Sequence, residues 1–312
     1  MNAALRKKEV VRKVNERKYS GKFKAIDTLL IVMMILPILF GIALYIVFTP
    51  ETSGIEIAGA RIYFTINMPI QPLPITEAQV NSWIVIVSVF FLCLYLTHGL
   101  SAAKPTKRQH LVEWALEQTE KLVSDNMGEF FKDFAPFVAA IMLLSALSSL
   151  LTLVGLYPPT SDLNVVGGWA ILVFVLITYY KFKCGALHYL KSFTEPVAFL
   201  TPLNVISEFA TPVSMAFRHY GNILSGSVIS VLVAAALQGL SAMIFGRLPG
   251  FLGSFPFLQI GIPAVLSVYF DIFSGLLQAF IFAMLTMLYV ASGFPEEDYK
   301  ERIKKKAAAA AK

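Results

Sequence analysis

Six long runs without a charged residue organise this chain, at 28–49, 78–103, 134–161, 163–180, 219–246 and 248–270. A helix crosses the hydrocarbon of a bilayer with roughly 20 apolar residues at ~1.5 Å each, and the runs are of that size. Lipid offers no hydrogen bonds, so a spanning segment must satisfy its own backbone, as a helix does. The ~10-residue alternating segments of a membrane barrel are not visible. The pattern predicts an all-α polytopic membrane protein with about six membrane helices, two of them long and tilted, plus one interfacial amphipathic helix.

Between the runs the pattern changes. Residues 107–124 place Leu111, Val112, Ala115, Leu116, Thr119, Leu122 and Val123 on one helical face, with Lys107, Arg108, Glu113, Glu117, Glu120 and Lys121 elsewhere. That is the signature of a helix lying in the membrane surface, or of a soluble partner-binding helix. Strand-like alternation around Ile55–Ile66, punctuated by Gly59 and Pro72, predicts a small hairpin. The short turn from Tyr157 to Asp162 joins two runs into a helical hairpin.

Composition agrees with the pattern. The hydrophobic fraction is 56% and the charged fraction 15%, where a soluble chain carries about 25% charge. The first run, from Thr28, is too long for the ~7–15-residue core of a signal peptide and is followed by no small-residue cleavage site. Cys93 and Cys184 form no disulfide framework, and the four histidines show no metal-ligand spacing, so no metal and no cofactor is expected.

The excess of Lys and Arg would suggest nucleic acid in a soluble domain; here it sets orientation, and no nucleic-acid partner is expected. With the N-terminus inside and six spans, the cytoplasmic segments hold nine Lys/Arg before residue 27, five in 101–132, three in 181–191 and six after 299. Only Arg61 and Arg247 then fall outside, and Arg218 is the one Lys or Arg at membrane depth. Both termini are therefore expected in the cytoplasm of a multi-pass protein of the cell's inner or plasma membrane. The expected organisation is a basic arm at 1–26, a membrane span at 27–49, an external loop at 50–80, a membrane domain at 81–299 and a Lys/Ala tail at 300–312.

Two long stretches carry the chemistry. Asn204, Ser207, Glu208, Thr211, Ser214, Arg218, Asn222 and Ser225 recur every three or four positions, which puts them on one helical face. Ser267, Asp271, Ser274 and Gln278 repeat the pattern later. About 40 residues of helix measure about 60 Å against a ~30 Å core, so such helices tilt or break. Taken singly, Ser and Thr back-bond to their own helix, and Asn222 and Gln278 serve as interhelical glue. Arg218 is different: a charge at mid-membrane costs at least ~2.5–3.5 kcal/mol, which makes it functional by default, or a structural partner of Asp271.

The block Glu208-Phe209-Ala210-Thr211-Pro212-Val213-Ser214-Met215-Ala216-Phe217-Arg218-His219-Tyr220-Gly221-Asn222 resembles a motif of subunit a of F-type ATP synthases. The run Leu277-Gln278-Ala279-Phe280-Ile281-Phe282-Ala283-Met284-Leu285-Thr286 is similar to the last helix of that family. Pro202-Leu203-Asn204, Glu195-Pro196 and Pro159-Thr160-Ser161-Asp162-Leu163-Asn164 match as well, and the resemblance covers roughly residues 64–295.

The resemblance implies the stator half of a rotary motor, without catalysis of its own. Its expected partners are a ring of c subunits, b-type peripheral stalk subunits, the soluble ATPase head and the bilayer. Arg218 would face the rotor, promote ion release and block a short circuit between two offset half-channels. Asn222, Asp271, Gln278 and Ser227 would belong to the external half-channel, and Glu195, Asn204, Ser207, Glu208 and Ser214 to the cytoplasmic one.

This chain departs from the family where Arg218-His219-Tyr220-Gly221-Asn222 replaces the common Arg-Leu-Phe-Gly-Asn. Ser227 stands where many members have Glu or His, and Asp271 where many have His or Glu, so the usual two-residue relay is reduced to one carboxylate. His219 is a candidate to compensate, yet it follows Arg218 directly and so points off the ring-facing side. The span at 28–49 adds to the family's common five-span plan. These departures leave the coupling ion, H⁺ or Na⁺, open.

Two other classes compete. A stand-alone secondary transporter or channel needs several intramembrane charges or broken helices around its own site, and only Arg218, Glu208 and Asp271 are available. A membrane-embedded enzyme needs a metal cluster or nucleophile–base pair, and no such motif is present.

Overall fold

The structure, a computed structural model, describes residues 3–48, 59–69, 71–100, 106–185, 189, 193–194, 198–246 and 257–294. Among them, six helices are long and apolar enough to cross a membrane, and they alternate in direction. The first, α1 (Ala3–Phe48), runs unbroken from the basic arm through the first apolar run. A two-stranded antiparallel hairpin, β1 (Ile62–Ile66) and β2 (Leu73–Thr76), follows. It lies later than the alternation suggests; the earlier residues 51–58 lie outside the described set.

The remaining elements are α2 (Glu77–Thr97), α3 (Lys107–Met127), α4 (Ala135–Leu150), α5 (Leu163–Cys184) and α6 (Thr201–Phe245). The last rod consists of α7 (Phe257–Ser267), a π-helical turn (Val268–Ser274) and α8 (Gly275–Ser292). The fifth and sixth crossing helices thus differ from the uncharged runs 219–246 and 248–270. Single charged residues, Glu208, Arg218 and Asp271, interrupt the runs in sequence but do not interrupt the helices, because one polar side chain changes no backbone hydrogen bond. At 45 residues, α6 is about 68 Å long, more than twice the hydrocarbon thickness, as anticipated for a tilted helix.

Helix α2 starts where the Thr76 hydroxyl accepts from the Gln79 amide, and it packs along α1. Ser88 Oγ donates to the Met34 carbonyl at 3.0 Å. The other ends of the pair are tied by Asp27, whose carboxylate meets His98 Nδ1 at 2.9 Å and Arg108 at 3.3 Å. Gly99 sits there at φ +79°, the left-handed turn that Gly adopts without steric cost. Helix α3 begins on a similar cap, with Thr106 Oγ1 accepting from the Gln109 amide. Its anticipated face is only partly packed: Thr119 and Val123 are buried with Met127, while Leu111, Leu116 and the unanticipated Trp114 are exposed.

The core lies between α3, α4, α5, α6 and α8, around Val123, Phe134, Val138, Val173, Met215, Phe282 and Met287. Lipid tails are as apolar as these side chains, so close packing, not water exclusion, must hold such helices together. Helix α4 accordingly turns Ser145, Ser148 and Ser149 inward, and α8 presents Gly275, Ala279 and Ala283. A Cβ at Gly275 would lie 2.8 Å from Ser149 Cβ, an atom fixed to the backbone. Gly275→Ala is therefore expected to destabilise the protein by about 1–3 kcal/mol. Adding Ser149→Gly should recover most of that loss, read as the thermal aggregation midpoint of the purified protein.

Candidate functional site

Each residue of a helix turns about 100° from the last, and this decides how the polar stripe of α6 is used. Pro212, Met215, Ala216, His219 and Gly226 form the buried face. Asn204, Glu208, Thr211 and Asn222 are half-buried along its edge, and Ser207, Ser214, Arg218, Ser225 and Ser227 lie exposed beyond it. The single stripe anticipated from spacing is therefore divided, with one margin packed inward and the other facing out of the bundle.

The inward margin is engaged in holding helices together. Lys181 Nζ of α5 donates to both Glu208 oxygens at 2.7 and 2.6 Å, and Tyr189 Oη adds a contact at 3.4 Å. Burial first, and the Glu208 charge next, raise the Tyr189 phenol above its ordinary pKa. Asn204 Nδ2 donates to the Phe193 carbonyl at 2.9 Å. Lys181 was invisible to sequence reasoning, because positional counting assigns it to the positive-inside tally and says nothing of what it faces. Glu195 lies outside the described residues.

The two stripes do meet. Asn222 Nδ2 donates to Ser274 Oγ across the helices at 2.7 Å. One turn further along α6, Gly226 lets Phe270 close in, for a Cβ there would be 2.9 Å from its ring. Asp271 sits inside the π-helical turn and accepts the Ser267 hydroxyl. Such turns carry one extra residue and recur at functional sites; here the turn offsets Ser267 and Asp271 from Ser274 and Gln278, and no local sequence signal announced it. Gln278 is buried. Ser227 Oγ donates to the Leu224 carbonyl of its own helix at 2.9 Å.

Arg218 stands apart. It is exposed and has no ion-pair partner among the described residues. The Asp271 pairing considered from sequence is not formed, since Asp271 bonds to Ser267 instead. Around Arg218 the outer face is apolar, with Phe209, Val213 and Phe217 each more than half exposed. No group of three or more His, Cys, Asp or Glu that could hold a metal occurs among the described residues.

Fold and site together define a multi-pass helical membrane protein built around a long polar-striped helix with an outward arginine. Residues 79–291 match the family model described as ATP synthase A chain, and the chain belongs to that family. It is similar to ATP synthase subunit a of Legionella pneumophila, with 29% identity covering 74% of this chain and 91% of that one. It is also similar to subunit a of Priestia megaterium, with 35% identity over 71% and 94%, and of Geobacter sulfurreducens, with 29% over 73% and 93%. The protein is thus a non-catalytic stator subunit of the membrane sector of an F-type ATP synthase, working in complex with other subunits. Most of α1 and the hairpin lie outside the matched region.

Lys181→Met would leave the half-buried Glu208 carboxylate unpaired, a loss of about 1–3 kcal/mol. Thermal denaturation of the purified complex should detect it, and Lys181→Met combined with Glu208→Gln should restore stability.

Proposed function

We propose that this subunit conducts the coupling ion, H⁺ or Na⁺, through two offset half-channels to and from the carboxylates of a c-subunit ring, with Arg218 as the rotor-facing cation. The observation that carries the reading is the exposed, unpaired guanidinium of Arg218 on an apolar helix face. A charge in that setting is strongly disfavoured unless another chain supplies its counter-charge.

The chemistry follows from electrostatics. A carboxylate passing through lipid travels neutral, because its charged form is expelled from low dielectric. A cation within ~4–6 Å lowers a carboxylate pKa by ~1–3 units, so passage beside Arg218 releases the ion. Arginine keeps its proton, and so it cannot relay one directly between the half-channels; lysine, whose pKa falls on burial, is a poorer substitute.

Asn222, Asp271, Gln278 and Ser227 serve the external route. Ser207 and Ser214, exposed on the outer margin, serve the cytoplasmic route, with Asn204, Glu208 and Glu195 towards its mouth. The distribution of Lys and Arg supports both termini being cytoplasmic, with the β-hairpin outside. Residues 81–299 then form the conducting domain. Helix α1 anchors its basic arm beside b-type stalk subunits, and the soluble head joins through the complex.

ATP-driven pumping in inverted membrane vesicles tests the central claim. Arg218→Ala should abolish pumping while the c ring and head still co-purify, and the response of the native complex to Na⁺ identifies the ion. Normal pumping by Arg218→Ala would overturn the mechanism. Deleting residues 1–49 should release stalk subunits on purification; unchanged assembly and activity would remove the role given to α1.

A further inference from the structure

His219 shares the Arg218 motif but faces the opposite way. Its ring is fully buried, with Nε2 3.3 Å from Ser145 Oγ of α4. Trp169 of α5 and Phe282 of α8 meet it edge-on, at centroid distances of 6.1 and 5.5 Å. Nδ1 is buried without a hydrogen-bond partner among the described residues. A buried polar atom left unsatisfied costs about 1–3 kcal/mol, so such atoms call for a water or an ion.

The surroundings continue in both directions. On the hairpin side a cavity of about 660 Å³ opens between β2 and the starts of α2 and α5, lined by Gln79, Ser82, Asp162, Asn164 and Trp169. The Trp169 ring thus touches the cavity on one side and His219 on the other. Thr160 Oγ1, in the turn packed on α6, is a second buried atom without a partner among the described residues. On the far side of Ser145 lies Ser149, whose Oγ donates to the Ser145 carbonyl at 3.2 Å and whose Cβ abuts Gly275. Gly275 follows Ser274, the partner of Asn222.

Resting on the half-channel reading above, we propose that His219 is a proton-relay residue of the external route, linking the hairpin-side cavity to the Asn222–Ser274–Asp271 end, and that the coupling ion is therefore the proton. The Nε2–H donates to Ser145 Oγ, which fixes the tautomer and leaves the Nδ1 lone pair as the base. Nδ1 takes a proton from a water on the cavity side, forming imidazolium, and returns it to the next water towards Asp271. One proton enters, one leaves, and the ring ends in its starting form.

No charged side chain among those contacting the ring competes for this proton. α4 presents Ser145, α5 Trp169 and α8 Phe282. The neighbouring charge on α6, Arg218, points about 100° away to the outer face, and Asp271 lies on the π-helical turn. Imidazole carries protons near neutral pH and suits Na⁺ poorly, since hard alkali cations take oxygen ligands.

The test uses the whole complex in inverted vesicles whose lumen, the external side, is preset between pH 5 and 8. His219→Gln keeps the volume and the contact to Ser145 but cannot titrate. It should retain the c ring and lose pumping roughly tenfold or more, with the native dependence on lumenal pH flattened. His219→Glu, titratable again, should regain part of the rate with its profile moved to lower pH, which a packing role would not produce. Native rate and profile in His219→Gln would overturn the proposal. Should that variant not assemble, a Na⁺ requirement or a flat lumenal pH profile in the native complex would do the same. Arg218→Ala, run in parallel, separates the two claims: pumping there sinks the stator mechanism itself, whereas silence there with normal His219→Gln pumping sinks only the relay.

Discussion

A guanidinium on an apolar helix face needs a counter-charge, and the described part of this chain supplies none to Arg218. The two other charged groups of the polar stripes are already engaged. Glu208 is held by Lys181 and Asp271 by Ser267. This division leaves Arg218 available to a partner. Were Glu208 or Asp271 free to swing onto it, the arginine would be neutralised within its own subunit and could not discriminate a charged rotor carboxylate from a neutral one.

Holding those pairs apart is a packing problem. Between membrane helices there is no hydrophobic driving force, so contact depends on small residues and interhelical hydrogen bonds. Ser149 against Gly275, Gly226 against Phe270 and Asn222 on Ser274 fix α4, α6 and the last rod at short range. The same close approach turns His219 into the bundle and Arg218 out of it, since adjacent residues of a helix diverge by about 100°. A rigid α6 thus presents two faces with different chemistry from neighbouring positions in sequence.

Much of this was legible beforehand where the signal is local. The six apolar helices, the long tilted pair and the conspicuous arginine follow from the pattern of charge, because the cost of placing a residue in lipid is nearly a property of that residue alone. The family motif added the stator assignment. Less legible was the course of the fifth and sixth helices, since isolated charges break an apolar run without breaking a helix. The unpacked half of α3, with Trp114 exposed, was equally hidden, because an amphipathic face does not say what covers it.

By itself the sequence determined the class of protein, the number of crossing helices and the singular position of Arg218, all of them sums over local transfer energies. Tertiary structure alone decided that Glu208 pairs with Lys181, that the polar stripe is divided between an inner and an outer margin, that a π-helical turn carries Asp271, and that His219 meets Ser145 with its other nitrogen free. Each of these depends on which side chain a distant segment brings opposite, and periodicity within one helix carries no information about that neighbour.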